Sequence, residues 1–493
     1  DMAVTYIYPQ GATPAKGTVQ ASGLNLQTLH SLFTRLPLDA QALAPLHSLR
    51  VSGTVETLKA QWQGPWAQMT SYEFKGRVHG LSWTASEGPW AQWPSVSNAV
   101  TEFNLNQNGG KLALGIDKGG VNLNGVLDEP WVPLDGLKAD MSWTLKDKVL
   151  AVPQWRLKAF NADAAVDMNG SWRQNKDGRG PGVLDLQGQI LRANAARVAR
   201  YLPQVLPEKV RHYVRDAVSQ GEVSQMAVRI KGDLNDLPFA QPQNGEFRFA
   251  GKVRNVQMAY VPARLQAPGE AAWPLLSGLN GDLVFDRLGV KLSNASGKLG
   301  NVPLSNAQAA IADMSRNTPL EIAAEARSAQ ANDVLSLVQK SPLDAMLGGS
   351  LHDSTSTGTV SGRIKLSLPL ANLDKTKLQG SVVLNGNDLR VVSELPKLEK
   401  AQGTVNFNES GFTITAGAAR MLGGALRIEG GTRAASAASS TQARARPASS
   451  TTGRARKCLP GPTAFVGTWF AIDVDGTLYS LALGRQSVFG ADR

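Results

Sequence analysis

Cysteine is nearly absent. The single Cys458 in 493 residues excludes an intrachain disulfide and a cysteine-built metal site. A lone thiol suits the cytosol, and it equally suits a periplasmic protein that needs no staples. Histidine is scarce too. His30, His47, His79, His212 and His352 are the whole set, and no two have the close spacing of paired imidazole ligands. Charged residues make up 18% of the chain, below the ~25% of an average soluble domain. Aromatics are only 6%. No run approaches the ~18 apolar residues of a transmembrane helix. A mean hydropathy of -0.18 is too polar for a multi-span membrane protein. The chain opens Asp1-Met2-Ala3-Val4, with neither the basic nor the apolar region of a signal peptide. It reads as an internal fragment of a longer protein.

The net charge is +11, unevenly spread. Residues 432–493 hold eight Lys/Arg against three Asp/Glu, or +5, which leaves +6 for the first 431 residues. A nucleic-acid footprint needs clustered basic charge, so the sequence predicts no nucleic-acid partner. The length allows about three domains at ~150 residues each.

What the chain does have is alternation. Apolar and polar residues at period two mark strands with one dry and one wet face. Phe103 and Leu105 alternate with Glu102, Asn104 and Asn106, and Leu112, Leu114 and Ile116 follow. Val121 and Leu123 lie between asparagines. Val228, Ile230 and Leu234 repeat the pattern, as do Phe247, Phe249 and Val253. Ile364, Leu366, Leu368 and Leu370 form another set, then Val405, Phe407, Phe412, Ile414, Leu426 and Ile428. Strands buried on both faces would read as continuous apolar runs, so antiparallel sheets with one solvated face are expected. Helices are few: Asn25–Arg35, the pair Asn194–Leu202 and Pro207–Ser219, and Asn332–Lys340, with Pro37, Pro203 and Pro342 as stops.

A pattern of Gly, apolar strand, Pro-marked turn, central Phe and Gly recurs three times. The copies are Gly76, Trp83, Trp93-Pro94, Phe103, Gly109; then Gly251, Tyr260, Trp273-Pro274, Phe285, Gly289; then Gly380, Leu389, Leu395-Pro396, Phe407, Gly411. The chain therefore divides into modules at about 1–190, 191–328 and 329–431. Nine of the eleven Trp precede Arg173, so the modules share a frame and differ in filling. Residues 432–493 break the pattern. Thr432–Lys457 is rich in Ala, Ser, Thr, Arg and Pro and is predicted to be disordered. The whole tail reads as aberrant, with a frameshifted end preferred over a natural linker and extra domain.

Catalytic signatures are missing. There is no GxSxG elbow and no GxxxxGK[ST] loop. The doublets Gly109-Gly110, Gly119-Gly120 and Gly348-Gly349 suit tight hairpins, and Asp128-Glu129 beside Pro130 suits a solvated turn. Phe470-Ala-Ile-Asp473-Val-Asp475-Gly-Thr477 resembles the first motif of haloacid-dehalogenase-type phosphatases. That family needs a long downstream stretch, and only 15 residues follow Leu478. An Asp-Gly hairpin turn is the preferred reading. No enzyme, cofactor or metal is predicted.

A one-sided antiparallel sheet must cover its dry face. A closed sandwich does so with a second sheet, and a curled sheet leaves an apolar trough. The alternation fits both equally.

A resemblance favours the trough. Arg200-Tyr-Leu-Pro203, Pro207-Glu-Lys-Val-Arg211-His-Tyr213-Val, Asp216-Ala-Val, Gly221 and Arg229-Ile-Lys-Gly232-Asp-Leu-Asn-Asp236-Leu-Pro238-Phe239 resemble the central region of YhdP-family proteins, large relatives of AsmA and TamB. Gly245-Glu-Phe247-Arg-Phe-Ala-Gly251, Ala259-Tyr260-Val-Pro262, Trp273-Pro274 and Gly281-Asp-Leu-Val-Phe285-Asp continue it. It covers most of 1–431 and is most specific at 195–290.

The resemblance implies a mainly β fold: an elongated, curled antiparallel sheet forming an apolar groove, with a few short helices. It implies a periplasmic, inner-membrane-anchored protein that conducts phospholipid toward the outer membrane, with acyl chains as ligand. The N-terminal anchor and the outer-membrane contact would lie in parts missing from this sequence. The lining is expected from Phe103, Leu105, Leu112, Leu114, Val121, Leu123, Val228, Ile230, Phe247, Phe249, Leu283 and Phe285 in the first two modules. In the third it is expected from Ile364, Leu366, Leu368, Val382, Leu384, Val405, Phe407, Phe412 and Ile414. Leu366→Asp or Phe249→Asp should block passage and spare the fold. The alternative is a non-enzymatic β-repeat scaffold or adhesin-like protein with its dry face closed.

Overall fold

Period-two alternation becomes strand pairing along most of the chain. The structure, a computed structural model, describes residues 1–9, 14–33, 49–65, 69–85, 94–178, 180–346, 349, 351–391, 396–432, 468–474 and 477–483. Two units are distinguished. The first comprises Asp1–Leu265, Leu275–Gly297 and Gln308–Thr318, and the second Gln266–Pro274, Lys298–Ala307 and Pro319–Arg493.

The first strands are β1 (Met2–Ile7), β2 (Lys16–Ala21), β3 (Leu24–Asn25), β4 (Leu49–Gln63), β5 (Ser71–Ala85), β6 (Ser95–Asn106) and β7 (Gly109–Asn122). Next come β8 (Trp131–Lys146), β9 (Val149–Phe160), β10 (Ala164–Arg173), β11 (Val183–Asn194), β12 (Val218–Asp233), β13 (Gly245–Met258) and β14 (Leu276–Asp286). Strands β15 (Gly289–Leu299) and β16 (Val302–Ile311) follow. Then come β17 (Leu320–Gln330), β18 (Thr355–Ser356), β19 (Thr359–Leu368), β20 (Lys377–Arg390), β21 (Leu398–Asn408), β22 (Gly411–Met421) and β23 (Gly424–Thr432). The last are β24 (Thr468–Val474) and β25 (Thr477–Leu483).

In the first unit, β4 to β14 pair in chain order as an antiparallel meander. In the second, β17 pairs with β19, and β19 to β25 continue in order. The expected one-sided antiparallel class is thus what the chain adopts. The tail supplies a hairpin: β24 pairs with β23 and with β25. Of Thr432–Lys457, expected to be disordered, Thr432 ends β23 and 433–457 lie outside the described residues. So do 475 and 476, although the strands flanking them form the hairpin expected there.

Bulges recur in the first unit. Register shifts fall between Val78 and Leu81 in β5, Ser97 and Ala99 in β6, Ser224 and Ala227 in β12, and Val253 and Val256 in β13. The extra residues take left-handed backbone: Gly80 (φ 62), Asn98 (φ 57), Gln225 (φ 51) and Asn255 (φ 48). Asn and Gly tolerate that conformation best. Neighbouring side chains satisfy the freed groups. Asn98 N–H donates to Ser82 Oγ at 3.0 Å, and its amide donates to the carbonyl of Lys118 at 3.1 Å. Asn255 N–H donates to Asn280 Oδ1 at 3.1 Å. Each bulge bends its strand and raises the local twist. The doublet Gly119-Gly120 was expected in a hairpin. It lies inside β7 instead, opposite Leu134 and Pro133.

Helices fall near their expected places. Helix α1 (Leu26–Phe33) is capped by Asn25, whose Oδ1 accepts from Gln27 N at 2.9 Å and Thr28 N at 3.1 Å. Residues Ala195–Tyr201 form a 3-10 helix rather than an α-helix, capped by Asn194. Helix α2 (Glu208–Ala217) begins one residue after Pro207, which is its N-cap and accepts the first helical bonds. Helix α3 (Ala331–Gln339) is followed by a short α4 (Pro342–Met346).

Candidate apolar binding face

Antiparallel partners directly opposite one another share a face of the sheet. The registers therefore trace rows across the strands. One row in the first unit runs Val55, Val78, Thr101, Leu114, Ala139, Leu157, Met168, Gly188, Val228, Phe249, Phe285. Thr101 is its one polar member, and its hydroxyl donates to the Ala113 carbonyl at 3.2 Å. The next row on the same face runs Leu58, Gly76, Phe103, Leu112, Met141, Trp155, Gly170, Leu186, Ile230, Phe247. A third includes Phe74, Leu105, Gly110 and Trp143. Ten strand steps at ~4.8 Å carry the first row about 50 Å from β4 to β14.

Of the expected lining residues of this unit, Phe103, Leu105, Leu112, Leu114, Val228, Ile230, Phe247, Phe249 and Phe285 stand in these rows, and Val121, Leu123 and Leu283 do not. Phe103, Leu105, Leu112, Ile230, Phe247, Phe249 and Phe285 are half-buried. The Phe247 and Phe249 rings pack edge-on at 5.1 Å. Leu283 lies opposite Gly251. Val228 is buried, at 5% exposure. Leu114, Val121 and Leu123 pack against a closed cluster that contains Val96, Ile116, Leu127, Val132 and Leu137.

In the second unit Ala324, Ile364, Gly380, Phe407 and Phe412 form one row. Ala326, Gly362, Val382, Val405 and Ile414 form the next. Val382 and Leu384 also pack against a cluster with Val334 and Leu337 of α3. Leu366 and Leu368 are shut in, at 6% and 0% exposure. They are core residues, so Leu366→Asp would bury a charge and unfold the unit rather than spare it.

The recurring glycine and phenylalanine have a geometric meaning. Gly76 is the cross-strand partner of Phe103, and Gly380 that of Phe407. A Cβ on Gly76 would stand 2.7 Å from Phe103 Cζ, so each glycine makes room for a ring laid over the backbone. Trp143 lies over Gly110 in the same way. The middle copy differs. Gly251 faces Leu283, its space is taken by the Met226 backbone, and Phe285 pairs with Phe249.

The opposite face is polar. Arg77 bridges Glu56 at 2.7 Å and Glu102 at 2.6 Å. Lys158 meets Asp167 at 3.0 Å, and Arg248 meets Asp286 at 2.8 Å. A hydrogen bond from Arg229 holds the Asp185 carboxyl below the usual range.

Residues 195–217 form a strap stapled to three hairpin loops. Tyr201 Oη donates to Asp163 at 2.8 Å and accepts from Asn161 at 3.1 Å. Arg211 grips Asp128 through two bonds, at 2.9 and 3.2 Å, within the exposed turn expected there. Tyr213 Oη donates to the Tyr260 carbonyl at 2.8 Å, and burial raises its pKa. Arg264 pairs with Asp216. Sequence reasoning missed Met141, Trp155, Leu157, Met168 and Leu186 as members of the rows. The alternation Leu137, Ala139, Met141, Trp143 with Lys138, Asp140, Ser142 between them carries the signal that would have found Met141.

A family model described as YhdP protein matches residues 2–465. The chain belongs to the YhdP family. A curated relative, the "Intermembrane phospholipid transporter YhdP" of Escherichia coli (strain K12), is 24% identical over 400 residues, covering 80% of this chain. The chain spans 29% of that relative's length. No solved structure matches. Of the residues that carry the resemblance over 195–290, Arg200, Tyr201, Arg211, Tyr213 and Asp216 serve as staples of the strap.

Proposed function

We propose that this chain is a phospholipid-conducting segment, holding acyl chains against its apolar rows while headgroups stay in water. The observation that carries the reading is the row from Val55 to Phe285, apolar at every strand but one. Fully burying a large apolar side chain gains ~1.5–3 kcal/mol. Val55, Val78 and Val228 of that row are buried, while its half-buried Leu, Met and Phe leave much of that gain unclaimed, and a hydrocarbon ligand would supply it. The bulges support a sheet curled into a groove around these rows. The name of the Escherichia coli relative supports phospholipid as the ligand.

The protein works in the periplasm, as part of a longer protein held in the inner membrane and delivering phospholipid toward the outer membrane. Among the described residues no helix is long and apolar enough to cross a membrane. The purified chain should carry phospholipid in native mass spectrometry, or take it up from vesicles of phosphatidylethanolamine and phosphatidylglycerol. A chain that does neither is the scaffold of the alternative reading.

A further inference from the structure

The two ends of the strands in the first unit are unlike. At one end the face is closed. Leu137 is 9% exposed, Ile116 4% and Val132 7%, with Tyr201 of the strap packed against them. The cations there are already engaged. Arg211 holds Asp128, and Arg200 lies 3.1 Å from Glu129 and 3.6 Å from Asp163. The other end is open in part: Trp62 and Val152 there are buried, at 7% and 8% exposure. Trp143 and Trp172 are half-buried there, each within three residues of its strand terminus. Trp172 Nε1 donates to the Pro181 carbonyl at 2.8 Å. Indoles combine an apolar ring with a polar edge, and they concentrate at the headgroup level of membranes.

We propose that phospholipid on this face keeps its headgroup at the strand ends bearing Trp143 and Trp172, with its tails running along the strands toward Leu137. The inference rests on the lipid-binding reading above and adds the direction in which the lipid lies. Distance agrees with it. Trp143 and Leu137 are six residues apart on β8, about 20 Å at ~3.4 Å per residue. One leaflet's share of a ~30 Å hydrocarbon core is about 15 Å. Lipid then moves sideways from strand to strand, its headgroup tracking the indole-bearing margin. The open margin ends at β12, where the fully buried Phe239 covers Gly232 and Gly245.

The single cysteine makes the test direct. In a Cys458→Ser background, Leu105→Cys and Leu114→Cys place a bimane fluorophore near the open margin and deeper on the face. Leu184→Cys and Ile190→Cys form a second pair on β11 in case the first disturbs folding. Vesicles of phosphatidylcholine carry a nitroxide either on the headgroup or at an acyl-chain end. The headgroup label should quench positions 105 and 184 more strongly, and the chain-end label positions 114 and 190. The same ranking with both labels, or the reverse ranking, overturns the direction while leaving the lipid-binding reading intact. No quenching at any position by either label overturns both.

Discussion

The strand ends carrying Phe74, Leu105 and Trp143 in the first unit stay half-buried. Those carrying Leu320, Leu366, Leu368 and Leu378 in the second are shut, at 6%, 6%, 0% and 2% exposure. Both sets come from the same apolar–polar alternation. The difference teaches that alternation assigns a residue to a face, while access to that face is a separate matter of what packs over it. A substitution can therefore act on stability in one unit and on ligand binding in the other.

The largest expected effect breaks the comparison at its closed side. Leu368→Asp places an unpaired charge where nothing is exposed, which costs several kcal/mol. The variant should lose its cooperative thermal transition by circular dichroism. Phe249→Asp, on the half-buried row, should melt within a few degrees of the parent but lose copurifying phospholipid. Equal melting of the two would erase the distinction between closed and open ends.

Next comes the strap. Arg211→Ala removes a paired guanidinium and frees the loop around Asp128, a loss of about 1.5–3 kcal/mol by analogy with other charged hydrogen bonds. A lowered urea midpoint with faster amide exchange in residues 123–131 is the expected result. An unchanged midpoint would mean that the strap does not hold its end of the face.

Gly76→Val and Gly380→Val sharpen the likeness between the units. Each pushes a branched side chain into space held by Phe103 or Phe407, at about 1–3 kcal/mol for overpacking. The two variants should lose similar stability in denaturant titration. If only one does, the glycine–phenylalanine pairing plays different parts in the two units.

The smallest effect concerns pH. The Asp185 carboxyl is held below its ordinary value by the Arg229 hydrogen bond, against a partial opposing effect of burial. A folded-state pKa below the unfolded ~3.9 stabilises fully above that pH and fades as pH falls further. Asp185→Asn should therefore flatten the acid limb of a stability–pH curve slightly. The side chain is 41% exposed, so solvent screening keeps the effect small.

Much of the fold was legible. Strand class, antiparallel pairing and the identity of the dry face follow from alternation, as at Phe103, Leu105, Leu112 and Leu114. The helical segments were legible in part from proline stops such as Pro203 and Pro342. The bulges were not, because Asn98, Gln225 and Asn255 interrupt a period-two pattern no more visibly than a surface substitution does. Nor was the division of the candidate lining into open and closed members. Leu368 and Phe407 have the same neighbours in kind along the chain, yet the first is fully enclosed and the second half-buried.

Local sequence by itself therefore determined which side chains lie together on one side of each strand, since a strand's geometry turns every second residue the same way. Only the tertiary structure decided which of them stay within reach of a ligand. That depends on registers, bulges and covering segments from far along the chain: Tyr201 packs against the cluster holding Leu137, and Arg211 reaches back to Asp128. Burial is a property of such distant meetings, and no short window of residues contains them.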